Sequence, residues 1–545
     1  MKRKYFFGLI ALTSALAFAA FSQDDGPAKK ELSVPTAEQN PMQRGLEIQE
    51  SPGKPHLQEE VVDKGEPTDS EAEEAVAPNP NEKERKWQAP NYAKQLESAQ
   101  KPLGYDAETF AIPPGLKDRV QFWLDIYTKY TTDQGVLHDS LHVGVVYEPV
   151  DFTSIQKNVG LSEREKSKAR RKMVEDKKKE IKERLLALEK ISATEGFDAK
   201  TLTGEDLRYW QMFEKIDEDK KFKASSEKGR LRFQLGQKDR FIQGIYYSGR
   251  YLTEMEKIYT EAGLPIELTR LPFVESSFNV KARSRVGASG IWQFMRYTGK
   301  KFMRIHSSAD ERNDPLRATR AAARLLKLNY NMLQKWPLAV TGYNHGPAGV
   351  ARMVEKFKTD DISSLVDERH KRFGFASANF YASFLAAVHA EKDAAKYFGD
   401  VYWDGTVPAS EIKPKNKVNR RMLLGWFDGN ETKARDLNPH LTRTFWSGYG
   451  SLTQKDFIRV PNNKYKLALA EIEKPPQIKA GRSSGSGKAE GKGTENYVIG
   501  QGETLSEIAN QLGISINRLM DMNDIENPRR IRAGQKILVP RMGAE

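Results

Sequence analysis

The sequence predicts a mainly α-helical chain that ends in a small α+β unit. Three observations lead there. In "LSEREKSKARRKMVEDKKKEIKERLLALEKI", Ser162 and Glu165 form a capping-box pattern, and Val174, Ile181, Leu185 and Leu188 recur at helical spacing. Asp314 and Pro315 form an N-cap and first-position pair that opens the helix "PLRATRAAARLLKLNYNML". The C-terminal stretch "YVIGQGETLSEIANQLGISINRLMDMNDIENPRRIRAGQKILVP" reads as strand, helix, helix, strand. There Thr504 and Glu507 form a second capping box, Gly513 stops the first helix and Ser515 caps the second.

The elements follow in order. Residues 1–22 have a basic start (Lys2, Arg3, Lys4), then a short apolar run, and read as a secretory signal peptide cleaved near Ala19 or Ser22. The alternative is an uncleaved anchor, against which the shortness of the run argues. Residues 23–94 are rich in Pro, Glu, Lys, Gln and Ser and read as a disordered tether. Residues 95–245 are expected to be mainly helical, with "VGVVY" read as a strand. Residues 246–400 are dense in apolar and aromatic residues and read as a helical domain. Residues 401–475 are a mixed connector with short β-like pieces such as "DFIRV", 476–495 a flexible Gly/Ser linker, and 496–541 the small C-terminal unit.

The net charge of +13 on 545 residues suggests an anionic partner. Export argues against nucleic acid and leaves anionic lipid or cell-wall polymer. The chain has no cysteine, which excludes disulfides, thiol catalysis and a lipid on an N-terminal Cys. The cleaved product is therefore expected to be exported, periplasmic or wall-associated, without a stable membrane anchor, and monomeric. The basic helix that begins after Ser162 is either a polyanion-binding surface or a solvated face with one packed stripe; the second reading is preferred.

One carboxylate stands out. In "LPIELTRLPFVESSF", Leu264, Leu268, Leu271 and Glu275 fall on one stripe of a helix. Partial burial of Glu275 is expected to raise its pKa, which suits a general acid for glycosidic-bond cleavage. Pro272 threatens a kink in the last turn, and pairing with Arg283 or Arg285 is the alternative role. Downstream, "GASGIWQFM" offers glycines for close backbone approach, Gln293 as a polar donor and acceptor, and Trp292, or Phe294 with Met295, as sugar-packing surfaces. "TGYNHGPAGV" places Tyr343 and Asn344 between glycines, either as orienting groups or as a capped turn. Tyr381 in "SANFYASFL" is either an orienting group or core.

The order E-S-S-F, G-A-S-G-I-W-Q-F-M, G-Y-N-H-G and F-Y-x-x-F-L-A-A resembles the catalytic domain of soluble-type lytic transglycosylases, most closely the membrane-bound lytic transglycosylase D group. The resemblance implies a goose-lysozyme-like helical fold with a helical N-terminal flank, and cleavage of peptidoglycan. It implies Glu275 as the single catalytic acid, Ser276 as its hydrogen-bonding neighbour, Gln293, Met295, Tyr343 and Asn344 as glycan contacts, and Tyr381 as the residue that holds the Glu. Gly342 and His345 depart from the usual A-Y-N-x-G, and Ile291 and Trp292 from the usual G-L-M-Q.

The implied reaction cuts the bond between N-acetylmuramic acid (MurNAc) and N-acetylglucosamine (GlcNAc) and closes a 1,6-anhydro ring. One Glu acts first as acid and then as base, with no metal or cofactor. A lysozyme-type hydrolase needs a second carboxylate. Its candidates are Asp310, Glu311 and Asp314, where Asp314 reads as a helix cap and the other two as surface charges. The C-terminal unit resembles a LysM module, which implies binding of GlcNAc-containing chains through Gly502, Thr504 and Leu505 in one loop and Ile525 and Asn527 in another. Core packing is the alternative role for Leu505. A non-catalytic wall-binding protein needs only that module, not the Glu, Gln, Tyr-Asn and Tyr set.

Overall fold

The computed structural model describes residues 108–368, 373–473, 494–523, 525, 528 and 531–540. The signal-peptide and tether segments, and most of the Gly/Ser linker, lie outside the described residues. The fold class is the one expected: mainly helical, with a small α+β module at the C-terminal end. Among the described residues no helix is long and apolar enough to cross a membrane.

The first helix, α1 (Lys117–Thr128), buries Val120, Phe122, Trp123, Ile126 and Tyr127. It is followed by strands β1 (Gln134–Asp139) and β2 (Val146–Asp151). The long helix α2 (Glu163–Ser192) starts at the full Ser162–Glu165 capping box and buries only Val174, Ile181, Leu185 and Leu188, as its pattern predicts. Strand β3 (Leu231–Leu235) completes an antiparallel sheet of order β2-β1-β3, in which Leu137 pairs Glu148 on one side and Phe233 on the other. The inner face of that sheet and the stripe of α2 share one hydrophobic core with Tyr209, Phe213 and Phe222. Residues 95–245 are therefore not simply a helical flank. They hold a small α+β unit, because β1 finds its second partner about a hundred residues later.

Helices α3 (Lys238–Ser248), α4 (Leu252–Glu261), α5 (Leu271–Ser276), α6 (Pro315–Leu333), α7 (Trp336–His345), α8 (Pro347–Phe357) and α9 (Phe375–Lys392) build the next unit. Asp314 caps α6 through the Arg317 N–H, with Pro315 at the first position. The core here does not begin at residue 246. Phe110, Leu116 and the buried face of α1 belong to it, as do Phe241 and Ile245. α9 is buried on nearly every side and packs against α1, α5 and α7.

The connector is a folded unit with its own core, which includes Ile412, Trp426, Phe445, Trp446, Ile458 and Ile472. Its strands β4 (Ala409–Ile412) and β5 (Ile458–Pro461) pair antiparallel, and helix α10 (Tyr465–Glu473) closes it. The C-terminal module has the expected order: β6 (Thr494–Val498), α11 (Leu505–Gln511), α12 (Ile516–Met522) and β7 (Lys536–Pro540), with β6 and β7 antiparallel.

Candidate active site

Glu275 sits in the last turn of α5, half-buried. The preceding residues do not form one continuous helix. Ile266–Arg270 are a 3-10 turn, and α5 begins afresh with Pro272 in its first turn. A proline there has no N–H to leave unpaired, so the residue that threatened a kink instead starts a helix. The stripe survives the break: Leu264, Leu268 and Leu271 are buried and Glu275 continues them at the surface. Arg270, fully buried, pairs with Glu256 of α4 and with Glu391 of α9 at 3.2 Å, which pins the start of α5 to both helices.

α5 ends abruptly. Ser277 and Phe278 both take left-handed backbone conformations, with φ of 49° and 57°. The Ser277 N–H donates to the Phe273 carbonyl and the Phe278 N–H to the Pro272 carbonyl, closing the helix in the manner of a Schellman motif. Neither residue is glycine, so this backbone costs about 1–2 kcal/mol at each position. Burial of Phe278 edge-on to Phe273, with ring centroids 4.7 Å apart, offsets it.

The second motif is a tight loop against α5. The Ser276 hydroxyl donates to the Ile291 carbonyl at 2.9 Å. Gln293 has φ of 46°, and its side-chain amide donates to the carbonyls of Gly290 (2.8 Å) and Ala282 (3.2 Å). Both donors are thereby used. The Gln293 side-chain oxygen takes no hydrogen bond among the described residues, so the residue offers a ligand an acceptor only. Trp292 and Phe294 are buried and do not face a sugar; Trp292 donates to the Thr319 hydroxyl at 2.9 Å. Met295 is the half-exposed apolar residue of that group.

Tyr343 and Asn344 lie in the last turn of α7 rather than in a free turn. The Tyr343 hydroxyl donates to the Trp292 carbonyl at 2.8 Å, and Asn344 accepts from Ser377 of α9 at 2.9 Å. Burial and then the Glu275 charge push the Tyr343 pKa well up. At Tyr381, buried in α9, burial alone does so. The tyrosine that shares the Glu275 field with Tyr343 is Tyr127 of α1. Burial raises its pKa first, a Ser383 hydrogen bond opposes this, and the Glu275 charge raises it further. Its ring lies 5.1 Å from Phe241, which stacks at 4.7 Å on Phe273, two residues before Glu275. Sequence reasoning missed Tyr127. The available signal was the i, i+4 aromatic pair Trp123–Tyr127 in "FWLDIY".

The three rival carboxylates are all held. Asp310 is not a surface charge: it is buried and takes a two-point contact from Arg312, at 3.0 and 2.7 Å. Glu311 is half-buried and accepts from the Arg304 N–H at 2.8 Å; burial raises its pKa. Asp314 caps α6 as expected. It is fully buried, which alone raises its pKa, but the Arg459 guanidinium outweighs this and holds it low.

In the C-terminal module Gly502 is exposed with φ of 87°, and Thr504 spends its hydroxyl on the capping box with Glu507. The Leu505 side chain is fully buried beside Ile508, Leu519 and Ile537, so it packs the core and does not face a glycan. Ile525 packs partly against the same core, and its N–H donates to the Met520 carbonyl at 3.0 Å. Asn527 lies outside the described residues.

Residues 254–366 match the family model described as Transglycosylase SLT domain, and residues 497–540 that of the LysM domain. Over 283 residues the chain is 24% identical to membrane-bound lytic murein transglycosylase D of Escherichia coli strain K12, covering 51% of this chain and 60% of that protein. Over 116 residues it is 34% identical to a putative tributyltin chloride resistance protein of Alteromonas sp. strain M-1, covering 21% of this chain and 53% of the relative. Over 49 residues it is 43% identical to the N-acetylmuramoyl-L-alanine amidase XlyA of Bacillus subtilis, covering 9% of this chain and 16% of the relative. The match thus spans about 60% of the length of the transglycosylase. The chain carries a lysozyme-like transglycosylase SLT domain followed by a LysM domain, and over part of its length it is similar to membrane-bound lytic murein transglycosylase D.

Proposed function

We propose that the protein is an exported peptidoglycan lytic transglycosylase. It cleaves the β-1,4 bond from MurNAc to GlcNAc and leaves a 1,6-anhydro-MurNAc end. The observation that carries this reading is Glu275. It is a half-exposed carboxyl at the end of α5, inside the segment that matches the SLT model; its charge acts on Tyr127 and Tyr343, and the neighbouring Ser276 and Tyr343 both bond the loop that carries Gln293.

Glu275 acts twice. As an acid it protonates the bridging oxygen, which leaves as the 4-hydroxyl of GlcNAc. The positive charge at C1 of MurNAc is relieved by the sugar's own N-acetyl carbonyl oxygen. Glu275, now ionised, takes the proton of the C6 hydroxyl as that oxygen attacks C1. No water is consumed. Gln293 accepts from a sugar hydroxyl, Met295 packs on a sugar face, and Asn344, already bonded to Ser377, orients the chain. A hydrolase of the same bond needs a second carboxylate to activate water. Asp310, Glu311 and Asp314 are each engaged elsewhere, which favours transglycosylation.

The LysM module holds the enzyme on glycan strands and raises local substrate concentration without new contacts at the site. Digestion of purified sacculi by the parent and by Glu275→Gln tests the reading. Anhydro products from the parent alone support it.

A further inference from the structure

Residues 304–314 run between two bodies: the Gln293 loop on one side and the connector on the other. Toward the loop, Arg312 uses its whole fork. Its Nη1 donates to the Gly287 carbonyl at 2.8 Å and the Phe294 carbonyl at 2.9 Å, the two ends of the loop. Its Nε and Nη2 lock onto Asp310. Ser289 donates to the Asn313 side chain at 2.6 Å, and Gly290 lies so close to the Arg312 carbonyl that a Cβ would collide with it. Ser289, Phe294, Asp310, Arg312 and Asn313 are buried, while Gly287 is exposed at the rim of the loop.

Toward the connector the same strap is held as firmly. The Asp310 N–H donates to the His440 carbonyl at 2.7 Å, the Thr442 N–H donates to the Ser308 carbonyl at 3.1 Å, and Ala309 pairs with Leu441. Asp314 pairs with Arg459, which contacts it through both Nη atoms. His306 and Arg304 both reach Asp456, at 2.8 and 3.2 Å. Ala309 is itself part of the connector's hydrophobic core.

We propose that residues 409–473 are a positioning element of the active site, which through the 304–314 strap and its Arg312 fork hold Gln293 where the glycan needs it. The connector then does more than join the two domains. Arg312 and Arg459 are positioning residues, since neither needs to touch substrate. The inference rests on the proposed role of Gln293. A left-handed residue in a loop is retained only where its surroundings over-determine it, and the strap supplies that determination. Displacement of a binding group by about 1 Å can cost as much as 100-fold in rate.

The test uses the full chain with Arg459→Met, a change on the connector side. Hydrogen exchange reads the loop directly. Amides of residues 287–294 are expected to exchange about tenfold faster or more than in the parent, while amides in the middle of α9 keep their protection. Anhydro-product release is expected to fall about tenfold, and to change less than about twofold when Arg459→Met is added to Gln293→Ala, because the two changes remove the same contact. Unchanged loop exchange overturns the proposal. So does an equal loss in both backgrounds. Should Arg459→Met not fold, Arg459→Lys keeps a cation beside Asp314 and carries the same two readings with smaller effects. Should the parent release nothing from sacculi, the proposed activity fails, while loop exchange still decides whether the connector holds the loop.

Discussion

Tyr343 and Ser276 are tied to adjacent carbonyls of the main chain. The Tyr343 hydroxyl donates to Trp292 at 2.8 Å, and the Ser276 hydroxyl to Ile291 at 2.9 Å. Three separate segments, α5, the Gln293 loop and α7, thus meet at two consecutive peptides. Tyr343→Phe removes a donor from a carbonyl beside the fully buried Trp292. An unmet buried acceptor costs about 1–3 kcal/mol. Urea unfolding is expected to show that loss, and sacculus digestion a reduced rate; unchanged stability would mean that another donor replaces the hydroxyl.

Gly290 and Gly287 separate two kinds of constraint. Gly290 has φ of 77° and no room for a Cβ, whereas Gly287 has φ of 90° with nothing near. Gly287→Ala is expected to cost about 1–2 kcal/mol from backbone strain alone. Gly290→Ala is expected to cost more, roughly 3 kcal/mol or above, because the Arg312 carbonyl must also move. Thermal unfolding of the two variants side by side checks the order.

His440 makes the connector acid-sensitive. Burial holds its pKa down to about 4 from 6.5, despite the opposing pull of Asp314. The unfolded chain therefore takes up this proton first as pH falls. The stability at stake is fully present above pH 6.5 and is lost down to about pH 4. The loss amounts to roughly 3 kcal/mol for a shift of that size. Burial also lowers the pKa of His345 and His389, so they add to the same slope. Asp314, with its pKa lowered below 3.8, keeps its contribution through this window and loses it only in stronger acid. His440→Gln is expected to flatten, without abolishing, the fall in urea midpoint between pH 7 and 4.5. Identical slopes in parent and variant would place the titration elsewhere.

Leu505 belongs to the LysM core. Leu505→Ala is expected to cost about 2–5 kcal/mol of module stability by leaving a cavity. Sedimentation on sacculi is expected to fall through unfolding of the module, with a matching loss of its circular-dichroism transition. Weaker sedimentation with an unchanged transition would instead make Leu505 a direct glycan contact.

Features set by near neighbours were legible in the sequence. The Ser162 and Thr504 capping boxes and the Asp314–Pro315 start of α6 rest on contacts within a few residues, and the buried stripe of α2 shows in its helical spacing although its packing partners are distant. Features set by distant partners were not. β3 pairs with β1 across about a hundred residues, and its short "LRFQL", although flanked by Gly229 and Gly236, carries nothing that names its partner. Pro272 was legible as a break but not as a new beginning, since the 3-10 turn before it depends on Arg270 meeting Glu256 and Glu391. At the site, the motif residues Glu275, Ser276, Gln293 and Tyr343 come together. Tyr127 reaches the same place from outside the motifs, carried there by packing of α1 on α9. Burial separated Trp292 and Phe294 from Met295, which hydrophobicity alone does not distinguish.

In the proposed reaction Glu275 closes an anhydro ring without water. The most direct measurement digests purified sacculi with residues 23–545, in parent and Glu275→Gln forms, and weighs the released muropeptides by mass spectrometry. Products lighter by one water than hydrolysed muropeptides are expected from the parent and not from the variant, with both forms still sedimenting on the wall. Products of hydrolytic mass, or release that survives Glu275→Gln, would contradict it.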